Sequence, residues 1–158
     1  METQIIEINT GLNMIIGQAH FIKTIEDIYE AVINTVPNAK FAVAFCEASG
    51  PCLIRYESTD KDLEEQTIDI ARKLSAGHSF VILMKDMYPI NILNQIKQVP
   101  EVCNIFCATQ NSVQVIIAET DQGRGILGVI DGNKSKGIET EEDKIHRKDF
   151  LRKIGYKF

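Results

Sequence analysis

The stretch "SFVILM" at residues 79–84 restricts the fold more than any other part of this chain. It shows none of the polar alternation of a half-exposed strand, which marks a strand covered on both faces. A chain that holds such a strand must supply two layers of cover for it. With 158 residues, 44% of them hydrophobic, the chain is about one domain long and can bury roughly two thirds of the surface it exposes when unfolded. A single domain over residues 1–158 with its own core is expected.

The other elements follow from periodicity and punctuation. "TQIIEI" (3–8) and "NMIIGQ" (13–18) are short β-type runs joined by "NTGL", so an opening hairpin is expected. "TIED" suits a helix start, with Thr24 accepting from the backbone near Asp27 and Asp27 reaching back. Ile25, Ile28, Tyr29, Val32, Ile33 and Val36 then recur at helical spacing up to Pro37. "FAVAFCE" (41–47) and "CLIRYES" (52–58) read as strands around an "ASGP" turn. From Asp60 to Ser75 the spacing of Leu63, Thr67, Ile70, Ala71 and Leu74 is helical, with Gly77 expected as its left-handed stop. Pro89 opens a further helix carrying Ile92, Leu93, Ile96 and Val99 inward. Three more strands follow at 102–108, 113–119 and 125–131. The last segment, acidic in its first turn and basic in its last, complements a helix dipole. Four helices and about eight strands predict an α/β fold with a mixed sheet, a layered α/β or α+β domain.

No apolar run approaches the roughly 18–20 residues that span a bilayer, and "METQIIEINT" lacks the regions of a secretory signal. A soluble, cytoplasmic protein with no membrane partner is expected. The net charge of −5, from 17 Lys and Arg against 22 Asp and Glu, disfavours a footprint on nucleic acid. Cys46, Cys52, Cys103 and Cys107 lie in or beside apolar strands, at spacings unlike the C-x-x-C pairs of zinc sites, and read as reduced, core-packing thiols.

Several stretches can carry chemistry. His78 follows a helix stop directly, where its ring can serve an exposed helix-end carbonyl. It can equally act as a nucleophile toward phosphorus, with Gly77 leaving room for the incoming group and Ser79 offering a hydroxyl. His20 and His146 have ordinary settings. In "ETDQGRGILGVIDG", Gly123 and Gly125 flank Arg124, joining a permissive backbone to a guanidinium suited to phosphate; a glycine-flanked hairpin turn has the same composition. No P-loop pattern occurs. "CEASGPC" places Glu47, Ser49 and Gly50 in a turn after an apolar strand, where the carboxylate can hold magnesium or orient an imidazole. Arg55 either faces solvent or meets an acid. Tyr88 and Asn91 offer a ring and an amide for a purine, or else the outer side of a proline-started helix.

Together, "FCEASGPCLIRY", "AGHSF", "PINILNQIKQVPEVCNIFCAT", "ETDQGRGILGVIDG" and "ETEEDKIHRKDFLRKIGYK" resemble the adenosine-specific kinase family, in the family's order and over almost the whole chain. The resemblance implies an α/β homo-oligomer, a trimer or higher, that binds adenosine, AMP or ATP and carries a phosphorylatable histidine. That histidine corresponds to His78, between Gly77 and Ser79. The family's Gly-Arg-Gly stretch matches Gly123, Arg124 and Gly125, and its acidic turn matches Glu47, Ser49, Gly50 and Pro51. Two functions then stand: a phosphotransferase acting through His78, assisted by Mg2+ at Glu47 or Asp131, and a non-catalytic adenosine or AMP sensor.

Overall fold

The expected four helices and eight strands are present in the computed structural model, which describes residues 1–158. In chain order they are β1 (Glu2–Ile8), β2 (Asn13–Ala19), α1 (Thr24–Thr35), β3 (Lys40–Cys46), β4 (Ile54–Ser58), α2 (Lys61–Leu74), β5 (Ser79–Lys85), α3 (Pro89–Gln98), β6 (Val102–Thr109), β7 (Val113–Glu119), β8 (Arg124–Asp131) and α4 (Glu141–Lys153). The strands divide into a five-stranded sheet, β4-β3-β5-β2-β6, and a three-stranded sheet, β1-β7-β8, and every pairing is antiparallel. The fold is thus a layered α/β arrangement in its α+β form.

β5 lies at the centre of the larger sheet, and Ser79 through Met84 are all buried. Phe80, Ile82 and Met84 enter the core beneath α1 and α3; Val81 and Leu83 enter the core formed with α2 and the smaller sheet. Each large aliphatic or aromatic side chain buried in this way contributes about 1.5–3 kcal/mol. The close fit has a visible cost in residue choice at Gly17 of β2, where a Cβ would meet the Phe80 ring at 2.4 Å and the Asn104 carbonyl at 2.7 Å. Only a residue without a side chain lets that ring lie across the strand.

Three local expectations are corrected. The β1–β2 hairpin does not form, because β1 pairs with β7 while β2 joins β5 and β6. The "NTGL" turn therefore carries the chain from one sheet to the other. Thr24 is not the cap of α1; Lys23 holds that position, and the buried Thr24 hydroxyl donates back to the His20 and Phe21 carbonyls. Asp27 pairs with Lys23 instead, at 2.8 Å. Finally, α2 ends on Ser75 in the left-handed region (φ 46°), and Gly77 has no positive φ. The other end of α2 is capped by Asp60, which accepts from the Leu63 N–H at 3.1 Å.

α4 differs from the other helices. Thr140 and Asp143 form a reciprocal capping box at its start, yet none of its residues is buried.

Candidate functional site

The site grows from one end of the larger sheet. β3 and β5 run antiparallel, and the last pair of their ladder sets Phe45 opposite Phe80. His78 stands in the turn just before β5, where its N–H donates to the Cys46 carbonyl at 2.7 Å while its own carbonyl accepts from the Ala19 N–H at 2.9 Å. Held from both sides, His78 sits at φ 63°. A left-handed conformation in a non-glycine residue costs on the order of 1–2 kcal/mol and tends to collect at functional sites. The half-buried ring stacks on Phe45, with centroids 5.7 Å apart and planes at 14°. It does not serve the end of α2. That role belongs to Arg124, whose Nη1 donates to the Lys73 carbonyl at 3.2 Å.

Beside this sheet end opens a cleft of about 650 Å3. One wall is the turn after β3, with Cys46, Glu47, Ala48 and Cys52; the floor is Ser75 and Gly77; the facing wall is the β7–β8 hairpin, including Gly123, Arg124 and Gly125. Three stretches singled out in the sequence therefore converge, although 78 positions separate Glu47 from Gly125. Gly77 permits the close approach, since a Cβ there would lie 3.1 Å from that of Ala48. Gly123 and Gly125 leave the hairpin wall open, with nothing within 4 Å of a built Cβ.

Both guanidinium groups of the region are paired. Arg55, on β4 directly across from Phe45, meets Glu47 at 3.0 Å, so the choice left open for it resolves toward an acid. Arg124 meets Glu119 at 3.0 Å and also reaches Gln4 Oε1 at 3.3 Å. One donor is left over: Arg55 Nε is buried and has no partner. An unmatched buried donor costs about 1–3 kcal/mol and calls for an acceptor. Nothing in "LIRY" singles out Arg55, because its importance arises from the β3–β4 register. The Cys46 thiol at the cleft edge is pushed up by burial, which suits a packed thiol rather than a nucleophile.

Other expected residues stand elsewhere. Ser79 is buried, and its hydroxyl donates to the Ala76 carbonyl at 2.7 Å, so it is turned away from any phosphate at His78. The Gly123 N–H closes the hairpin on the Thr120 carbonyl rather than facing the cleft. Ser49 and Gly50 shape the β3–β4 turn, Gly50 at φ 59°, without lining the cleft. Tyr88 and Asn91 follow the opposite end of β5, roughly 20 Å along the strand. There the Tyr88 N–H donates to Asn91 Oδ1 at 2.8 Å. Asp131 lies at the far end of β8 from Arg124, roughly 23 Å away, and accepts from Thr109 and Asn111. It cannot share a cation with Glu47. No group of three or more His, Cys, Asp or Glu is placed to hold a metal ion. No helix is long and apolar enough to cross a membrane.

An open cleft at a sheet end, offering both apolar surface and a few convergent polar groups, has the form of a small-ligand site in an α/β protein. The family described as adenosine specific kinase matches residues 5–157. The crystal structure of the PH1918 protein from Pyrococcus horikoshii OT3 is 46% identical, covers 99% of this chain and 98% of its own, and superposes with a TM-score of 0.95. The chain belongs to the adenosine-specific kinase family, as the resemblance implied, and its function is of the nucleoside-related, kinase-like kind. No curated protein matches it.

Proposed function

We propose that this chain binds adenosine or an adenine nucleotide at the sheet end bearing His78 and passes a phosphoryl group through that imidazole. The observation that carries the reading is the backbone of His78, held at φ 63° between Cys46 and Ala19. Strain of that kind persists where the surrounding structure enforces it, and it fixes the direction of the ring. In the first step the unprotonated ring nitrogen attacks the terminal phosphorus of a nucleoside triphosphate, and the bond from phosphorus to the bridging oxygen breaks with loss of the diphosphate. In the second, a hydroxyl of adenosine attacks phosphorus, the P–N bond breaks, and the hydroxyl proton passes to a carboxylate. Glu47, the one carboxylate lining the adjoining cleft, is assigned to receive it. The Arg124 guanidinium, which lines the cleft, supplies positive charge for the transferring group, while Arg55 holds Glu47 in place. Mg2+ is commonly held by one or two carboxylates together with substrate phosphates, and Glu47 fits as that one carboxylate whereas Asp131 does not. Bound there, the ion would neutralise phosphate charge. The working unit in this reading is a single domain, cytoplasmic, acting as a homo-oligomer.

A second reading, a non-catalytic adenosine or AMP module, is favoured by one observation: the His78 ring lies flat on Phe45 and outside the lining of the cleft. Incubation with ATP, Mg2+ and adenosine separates the two. Phosphotransfer predicts a phosphoryl adduct on the peptide containing His78 and formation of AMP, both lost in His78→Asn, which tolerates the left-handed backbone. Adenosine binding with His78 unmodified would leave the binding module and exclude the transfer.

A further inference from the structure

Two apolar surfaces of this chain have no partner within it. The first is the outer face of the smaller sheet. The register places Ile5 opposite Ile116 and Ile116 opposite Gly128, with Ile130 and Leu127 alongside. Ile5 is 58% exposed and Leu127 62%, and Glu7 is the only charged side chain on that face. An antiparallel face turned to water ordinarily carries alternating polar residues. The second surface is the arm that leaves β8. Residues 133–140 have no regular structure and expose Ile138 by 96%; α4 then buries nothing, and Phe150, Ile154 and Tyr156 remain open. Where these approach Tyr88 and Ile90 a cleft of about 850 Å3 separates them. A helix of 13 residues is marginal in water without a packing surface.

Charge distinguishes what the arm fits. The arm, residues 133–158, holds eight of the 17 Lys and Arg against five of the 22 Asp and Glu, giving it +3 and the rest of the chain −8. A basic arm and an acidic body attract between copies. Eight extended residues, 133–140, reach at most about 26–29 Å, enough to cross to an adjacent copy.

We infer that α4 of one copy docks on the outer face of the β1-β7-β8 sheet of a second copy, with Phe150 and Ile154 over Leu127, Ile5 and Ile130. The contact joins unlike surfaces, so it closes either by reciprocal exchange between two copies or head-to-tail around a ring. It names the segment and the receiving face for the assembly proposed above, and does not depend on the chemistry at His78.

Light scattering on full-length variants tests it. The unaltered chain is expected as an assembly. Leu127→Asp damages the receiving face, and Phe150→Asp with Ile154→Asp damages the arm; each is expected to weaken association by at least about a hundredfold and leave single copies. Mixed in equal amounts, the two variants retain one intact arm and one intact face, and should form a two-copy species that neither forms alone. Far-UV circular dichroism checks folding, with Leu127→Gln and Phe150→Gln replacing any Asp variant that unfolds. Variants that keep the mass of the unaltered chain, or a mixture that forms no two-copy species, overturn the docking while leaving assembly by another surface standing. A monomeric unaltered chain overturns both.

Discussion

β5 and β8 are strands of seven and eight residues, similarly rich in aliphatic side chains, and they end in opposite circumstances. β5 lies between two strands and two layers, with its first six residues buried; β8 is the last strand of the smaller sheet and has no buried residue. The cleft takes one wall from each regime. Its floor at Gly77, next to His78, is fixed by the interior, while its Arg124 wall stands on a hairpin with solvent beyond it. Substitutions on the first side should therefore register as stability and on the second as ligand affinity.

The widest separation is expected between Ile82→Ala and Leu127→Ala. The first removes a fully buried side chain from β5 and should cost about 2–5 kcal/mol in denaturant unfolding. The second should stay within about 0.5 kcal/mol when measured at a concentration that keeps copies apart. Equal losses would break the contrast between the sheets.

Next comes Gly17→Ala, where the added methyl group runs into Phe80 and the Asn104 carbonyl. Overpacking of this kind costs about 1–3 kcal/mol. Phe80→Leu in the same chain should recover part of the loss, and a loss unaffected by that change would point to the Asn104 backbone as the obstacle.

Arg124→Ala should leave the unfolding midpoint nearly unchanged but weaken binding of an adenine nucleotide by roughly tenfold or more, the scale of a hydrogen bond to a charged group. Titration calorimetry reads this. A large stability loss without a change in affinity would reassign Arg124 to holding the end of α2.

Acid provides a finer comparison. The Leu63 N–H beside Asp60 holds its carboxyl below the usual range, and the Thr140 N–H does the same for Asp143. For both, the stabilisation is present above the ordinary aspartate value near ~3.9 and is lost as pH falls through the folded value. Loss at Asp60 should lower the global transition, because α2 packs on the core; loss at Asp143 should melt α4 alone. Circular dichroism of Asp60→Asn and Asp143→Asn between neutral and acid pH distinguishes them.

The smallest effect is chemical. Only two of the four thiols expected to pack in the core do so: Cys46 and Cys107 are buried, the latter with its thiol pushed up to about 11 by desolvation, while Cys52 and Cys103 are exposed and should alkylate readily. Mass spectrometry after brief iodoacetamide treatment at mildly alkaline pH should find two labelled thiols, rising to four on unfolding.

How far the sequence revealed this molecule depended on whether the cause was local. β5 was legible because burial on both faces leaves a run without alternation, and α2 because its apolar stripe from Leu63 to Leu74 is local, although its stop fell on Ser75 rather than Gly77. The fate of β1 was not, since its choice of β7 over β2 is decided by a strand more than a hundred residues away. Within the site, the types at Glu47, Gly77, Gly123, Arg124 and Gly125 signalled an anion-binding chemistry, and these residues do converge. Arg55 was ambiguous because only the β3–β4 register brings it to Glu47. Ser79 misled, since a strand's first residue points inward or outward according to a pleat the sequence does not display.

The pairing of β1 with β7 also bears on how the chain is made. β1 leaves the ribosome well ahead of its partner, which follows about 105 residues later. At about 5–20 residues per second that delay lasts roughly 5–20 s. Throughout it Ile5, Ile6 and Ile8 stay unpaired, making this nascent segment a natural client for a chaperone.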